Sequence, residues 1–298
     1  MQQTPIDNFD SGSDYSPFLN LSRSFLLIML LGFLVLPILT ACNHSRYSRS
    51  SLTTRKAEQA GFVKRLVSTE KFNITTYQKI TSKKGSIVFY IEGDGRIFYP
   101  NGVISNDPTP QNLMVMRLAV SDPRPNVVYI ARPCQFTPVE DEPNCSNIYW
   151  TDKRLAPEAV ASINEVIEKV SNNNLVDLVG FSGGGGIATL IPLHNKRIRS
   201  IITIGGNLDH VAFNKYHAKR PMIGSLNPID YAHQFNQIPQ LHLSGGMDRR
   251  VPPFIADDYV KAAQNPKCVR SRIIPDATHM HNWEKYWVEI AVSDVKCY

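Results

Sequence analysis

Short runs dense in β-branched and aliphatic residues recur along the chain with helix-patterned segments between them, and this alternation limits the fold more than any other feature. The runs are Ser86–Ile91 (SIVFYI), Asn126–Ile130 (NVVYI), Leu175–Gly180 (LVDLVG), Ser200–Ile204 (SIITI), Gln240–Leu243 and Arg270–Ile274. Several are apolar at nearly every position, as strands covered on both faces should be. Between them, residues 112–120, 157–171, 254–263 and 283–292 have helical character; in 157–171 the apolar side chains fall at 159, 160, 163, 166, 167 and 170. The pattern predicts an α/β chain, a mostly parallel sheet flanked by helices, in one domain spanning 61–298 without internal repeats. A length of 298 residues is enough to bury such a core. The one long stretch between strands, about 207–238, is rich in Asn, His and Pro and is expected to form a small cap over the carboxyl edge of the sheet.

The amino-terminal region has a different character. Phe25–Leu39 (FLLIMLLGFLVLPIL) is uncharged, too short for a comfortable membrane span and the right length for a signal-peptide core, with Arg23 just before it. It ends in Leu39-Thr40-Ala41-Cys42, which resembles the lipobox of bacterial lipoproteins. That resemblance implies a signal peptide over 1–41, a diacylglycerol on Cys42 and a lipid-anchored protein of the bacterial envelope. Asn43 after the cysteine implies the periplasmic side of the outer membrane for a Gram-negative source. Asp7, Asp10 and Asp14, with no base before residue 20, are unlike a leader's positive start and point to a true start downstream of Met1. Residues 42–60 (from Cys42, NHSRYSRSSLTTRK) show no hydrophobic period and read as a flexible tether whose bases suit either solvent or anionic headgroups.

Five cysteines is an odd count, and acylation of Cys42 would leave four in an oxidising compartment. Of the three possible connectivities, the local one, Cys134–Cys145 with Cys268–Cys297, is expected. No CxxC or HExxH spacing occurs, so neither a metal nor a cofactor is expected. The net charge of +6 raises the question of nucleic acid, but the bases are scattered and no recognition motif accompanies them.

The strand-like run from Leu175 delivers Gly180-Phe181-Ser182-Gly183-Gly184, followed by a glycine-rich helical segment. This is the GxSxG arrangement, in which a serine sits on a tight strand-to-helix turn and glycines leave room for it. A phosphate loop would need a Lys-Ser/Thr pair, and Gly93-Asp94-Gly95 lacks the third glycine of a dinucleotide fingerprint. Here the chain resembles the α/β-hydrolase superfamily, whose members order their triad as serine, acid, histidine. The resemblance makes Ser182 the nucleophile. Ser244-Gly245-Gly246-Met247-Asp248-Arg249-Arg250-Val251-Pro252 resembles the family's acid turn, which makes Asp248 the triad acid ahead of Asp257 and Asp258. Pro275-Asp276-Ala277-Thr278-His279-Met280-His281 follows the last strand, and His279 is preferred to His281 as the base.

An oxyanion hole needs two N–H groups aimed at the developing charge. The resemblance assigns one to Gly183 and the other to the Glu92-Gly93-Asp94-Gly95-Arg96 loop, where Glu92 replaces the family's histidine; Asp94 is the expected donor and Gly95 the alternative. The acids of this loop could also order it by pairing with Arg96 or Arg132. The expected activity is hydrolysis of carboxylic esters, small-molecule or lipid, through an acyl-enzyme, with peptide, thioester and acyl-transfer chemistry open to the same triad. The competing reading is a non-catalytic envelope lipoprotein that keeps the hydrolase fold as a binding or structural module.

Overall fold

The computed structural model describes residues 50–137, 142–293 and 295–298. The signal-peptide stretch 1–41 and the lipidation position Cys42 lie outside the described residues. In chain order the elements are helix α1 (50–59), strands β1 (Val63–Ser68), β2 (Asn73–Ile80) and β3 (Ile87–Ile91), helix α2 (Met114–Ser121), β4 (Asn126–Ile130), α3 (Pro157–Ser171), β5 (Val176–Phe181), α4 (Gly183–Leu190), β6 (Ile198–Ile204), α5 (His210–Tyr216), β7 (Gln240–Gly245), α6 (Phe254–Ala263), β8 (Val269–Ile274) and α7 (Glu284–Val292).

The strands form one sheet in the order β1-β2-β4-β3-β5-β6-β7-β8. All neighbours from β4 to β8 run parallel, while β1 and β2 are antiparallel additions at one edge. Alternate side chains of each central strand point to opposite faces. Val88, Tyr90, Val127, Tyr129 and Val179 share one layer with Met116, Leu118 and Trp287 of α2 and α7. Phe89, Ile91, Val128, Ile130 and Leu178 share the other with Ile163, Val166 and Ile167 of α3 and Ile187 of α4. Burying each such side chain contributes about 1.5–3 kcal/mol, and covering both faces explains why these strands read as unbroken apolar runs.

Three expectations are revised. Residues 50–59, placed in a flexible tether, are helical: Thr53 and Ala57 are buried, and the Thr54 hydroxyl meets the Tyr77 hydroxyl at 2.8 Å. The packing face is built from small residues, which carry almost no hydrophobic signal. The β1–β2 pair was not anticipated, because β1 is an exposed edge carrying Lys64 and Arg65 and half of the buried run of β2 is Thr75 and Thr76, beside Ile74 and Tyr77. A charged edge also discourages pairing with another chain. The third revision concerns 207–238. Its second half is a 3-10 segment, Pro228–Phe235, that packs beside α4 and α6, where Ala232 joins Leu208, Phe213, Ile255 and Tyr259 in a third core. Only the part up to about Leu226 lies beside the strand ends, tied to the 152–155 turn through Ser225 and Leu226.

Both disulfides, Cys134–Cys145 and Cys268–Cys297, are present. Among the described residues no helix is long and apolar enough to cross a membrane, and no cluster of His, Cys, Asp and Glu is arranged to hold a metal ion.

Candidate active site

The carboxyl ends of β3, β5, β7 and β8 bring the expected residues together. Ser182 follows β5 directly with φ 52° and ψ −120°, a strained conformation for a residue with a side chain, and it stands immediately before α4. The turn closes this tightly because a Cβ on Gly180 would collide with the backbone of Gly184. The Ser182 N–H donates to Ile204 O (3.0 Å), and Ser182 O accepts from Gly185 and Asn207, so the strained residue is bonded on both sides.

His279 Nε2 lies 3.2 Å from Ser182 Oγ, and His279 Nδ1 lies 2.7 Å from Asp248 Oδ2. Asp248 Oδ1 accepts the N–H groups of Arg250 (2.8 Å) and Val251 (2.9 Å). One carboxylate therefore closes its own turn with one oxygen and faces the imidazole with the other. The His279 ring stacks obliquely on Phe181 at 4.9 Å, and its carbonyl accepts from Trp283 Nε1. His279 and Asp248 are 7% and 5% exposed, so their contact lies away from bulk water. His281 is exposed and outside this chain of contacts, its N–H donating to Thr278 Oγ1. Asp257 accepts from Ser271 and Asp258 pairs with Lys261, both remote from Ser182.

The loop after β3 is anchored on every side. Glu92, buried, accepts the Gly93 N–H (2.8 Å) and the Tyr129 hydroxyl (2.7 Å). Burial pushes its carboxyl up to about 7, against the opposing pull of those two donors and of Arg132. Gln135 Nε2 donates to Gly93 O (2.9 Å), and the Arg96 N–H donates to Pro108 O (3.0 Å). The Asp94 side chain lies against Gly183, so closely that a Cβ there would overlap its carboxylate. As the first residue of α4, Gly183 has an N–H without an acceptor in the helix. Of the suggested partners for the loop's acids, Arg132 meets Asp94, through Nη1 at 3.2 Å, whereas Arg96 stacks on Tyr99.

Two participants were not anticipated. Arg154 places Nε 3.5 Å from Asp94 Oδ2, and Gln135 links Arg132 to Gly93 by accepting the Arg132 N–H at 3.1 Å. Arg154 sits in a turn before α3, with no strand end or glycine pair to mark it.

No family model matches this chain, and no curated protein matches it. Solved structures do. The esterase Pf2001 from Pyrococcus furiosus aligns at 12% identity over 78% of this chain and 91% of its own, with a TM-score of 0.56. Est1E from Butyrivibrio proteoclasticus aligns at 12% identity over 76% and 95%, with a TM-score of 0.53. The acylaminoacyl peptidase of Pyrococcus horikoshii aligns at 12% identity and a TM-score of 0.53 over 77% of this chain but only 40% of its own. At such identities the likeness is one of backbone architecture, and it agrees with the strand order and helix layers above: the chain has the α/β-hydrolase fold.

Proposed function

We propose that the protein is a serine hydrolase that cleaves carboxylic esters. The observation that carries this reading is the hydrogen-bonded chain from Ser182 Oγ through His279 to Asp248, at 3.2 Å and 2.7 Å. Ser182 Oγ attacks the ester carbonyl while His279 Nε2 takes its proton, and Asp248 holds the imidazole and stabilises the imidazolium. The tetrahedral oxyanion is met by the N–H groups of Gly183 and Asp94. Collapse breaks the bond to the alcohol, which leaves with the proton from Nε2. Water then attacks the acyl-enzyme by the same proton path and frees the acid and Ser182. Esters are preferred to amides in this reading because one of the fold's solved examples, Pf2001, is named as an esterase.

We further propose that Cys42 is acylated and fixes the enzyme to the bacterial envelope, a reading supported by the apolar run Phe25–Leu39 and the Leu39–Cys42 motif. A fluorophosphonate probe tests the chemistry: it should label the wild-type protein and fail to label Ser182→Ala. Folded, oxidised protein that neither labels nor hydrolyses p-nitrophenyl esters would instead favour a non-catalytic binding module. Metabolic labelling with a radioactive fatty acid, expected for the full chain and absent from Cys42→Ser, tests the anchor.

A further inference from the structure

The formal charge of +6 is not spread evenly along the sequence. Residues 50–86, which form α1, β1, β2 and the turn into β3, carry eight bases and two acids, so the rest of the chain holds as many acids as bases. Arg55, Lys56, Lys64, Arg65, Lys83 and Lys84 are exposed, and none of them makes a salt bridge among the described residues. Apolar side chains stand among them: Leu52, Val63, Leu66 and Ile80 are each between 43% and 53% exposed.

The fold gathers these residues at one edge. Strand β1 is outermost in the sheet and pairs only with β2, so its outer N–H and C=O groups face away from the protein. Helix α1 lies beside it. The Phe62 N–H donates to Ala57 O (3.0 Å), and Thr54 meets Tyr77, the residue opposite Lys64 in the β1–β2 register. With Thr53 and Ala57 buried, Leu52, Arg55 and Lys56 are turned to the outer side of the helix. Seven residues, Arg46 and Arg49 among them, lie between Cys42 and Ser50, a reach of no more than about 28 Å even when fully extended.

We propose that the edge formed by α1, β1 and the end of β2 lies on an anionic phospholipid surface, with Arg55, Lys56, Lys64 and Arg65 among the headgroups and Leu52, Val63 and Leu66 at the acyl boundary. Attraction of the bases to an anionic leaflet and burial of the apolar tips act together. The proposed lipid on Cys42 would strengthen the contact by making it intramolecular, although the surface does not depend on it. The same bases oppose a second copy as the occupant, since pairing β1 with another β1 would set like charges across the new ladder. Four strand spacings, about 19 Å, separate β1 from β5, which delivers Ser182. The docked domain therefore holds the candidate active site off the bilayer and opens it along the surface instead of into it.

Hydrogen–deuterium exchange of the full chain tests the surface, on vesicles of phosphatidylcholine with about one-third phosphatidylglycerol and on vesicles of phosphatidylcholine alone. Amides of residues 50–56 and 63–68 should exchange at least about fivefold more slowly on the anionic vesicles, and salt at about 0.5 M should remove most of the difference. Arg55→Gln/Lys56→Gln/Lys64→Gln/Arg65→Gln, all at exposed positions, should abolish it without loss of Tm. Equal exchange on the two lipids, or protection that survives the four substitutions, overturns the surface. Protection that instead grows with protein density on neutral vesicles identifies a second copy as the occupant and also overturns it. Full chain that incorporates no fatty acid is mixed with the same vesicles and read in the same way, so loss of the acylation reading and loss of the surface are seen separately.

Discussion

Asp248 divides its carboxylate between two tasks, Oδ2 at 2.7 Å from His279 Nδ1 and Oδ1 on the N–H groups of Arg250 and Val251. The division lets catalysis and folding be tested separately. In Asp248→Asn the amide oxygen can still close the turn, but the remaining NH₂ cannot accept from Nδ1–H, and the imidazole is left without its orienting charge. The expected result is a fall in kcat of about 10³–10⁴-fold with little change in Tm. Asp248→Ala should lose both activity and a few degrees of Tm, since the turn's two N–H groups then lack their acceptor. Equal kcat for Asp248→Asn and wild type would remove Asp248 from the proposed triad.

Glu92 carries a pH-dependent penalty inside the loop that places Asp94. Its carboxyl rises from an ordinary 4.5 to about 7, first through burial. Below 4.5 the group is protonated in both folded and unfolded chains. Between 4.5 and 7 the unfolded chain releases the proton while the folded one keeps it, so stability falls as pH rises, by about 3 kcal/mol once pH exceeds 7. Glu92→Gln keeps an acceptor for the Gly93 N–H and does not titrate. Its Tm relative to wild type should therefore climb between pH 5 and pH 8, on the order of 5–10 °C. Parallel Tm curves would contradict the buried carboxyl.

His242 produces the opposite slope. It lies fully buried in β7, with Nδ1 2.9 Å from Thr203 Oγ1, its ring against Tyr259 and Nε2 without a hydrogen bond among the described residues. Burial lowers it from 6.5 to about 3. The stability tied to keeping this ring neutral is complete above pH 6.5 and is lost as pH falls toward 3, by about 5 kcal/mol in all. This slope and that of Glu92 oppose each other between 4.5 and 6.5, so wild-type stability is flatter there than either group alone would make it. His242→Gln should shift the acid unfolding midpoint downward relative to the variant's own stability at pH 7, read by circular dichroism. An unchanged acid midpoint would place His242 in a wetter environment than the structure shows.

How much of this was legible in the sequence depends on whether a residue announces itself locally. Ser182, Asp248 and His279 each come soon after a strand and stand in a short pattern with its own glycines or prolines, so the topology that gathers them could be anticipated from strand order. His279 could be preferred to His281 by its place after the last strand, and it is His279 that meets Ser182 and Asp248. Arg154 had no such mark: it meets Asp94 only because β3 and the turn before α3 end on the same side of the sheet. Thr53, Ala57, Thr75 and Thr76 escaped for another reason, since small and hydroxylated residues can be buried without registering as apolar.

The two disulfides close loops with sequence separations of 11 and 29, yet their removal should have different consequences. Chain entropy alone assigns them about 3 and about 3.5 kcal/mol. Cys268–Cys297 ties the carboxyl terminus to the start of β8, far from Ser182, so Cys268→Ser/Cys297→Ser should lower Tm and leave kcat/KM unchanged. Cys134 lies between Arg132 and Gln135, and both Cys134 and Phe136 adopt left-handed backbone, with φ 69° and 60°. Such conformations cost about 1–3 kcal/mol each and persist only where their surroundings hold them. Without the Cys134–Cys145 bond this turn is free to relax, and Gln135 would slacken its hold on Gly93 while Arg132 withdraws from Asp94. Cys134→Ser/Cys145→Ser should therefore lower kcat/KM as well as Tm. Measured side by side, equal kcat/KM in the two double variants would show that the loop after β3 keeps its geometry without the covalent tie.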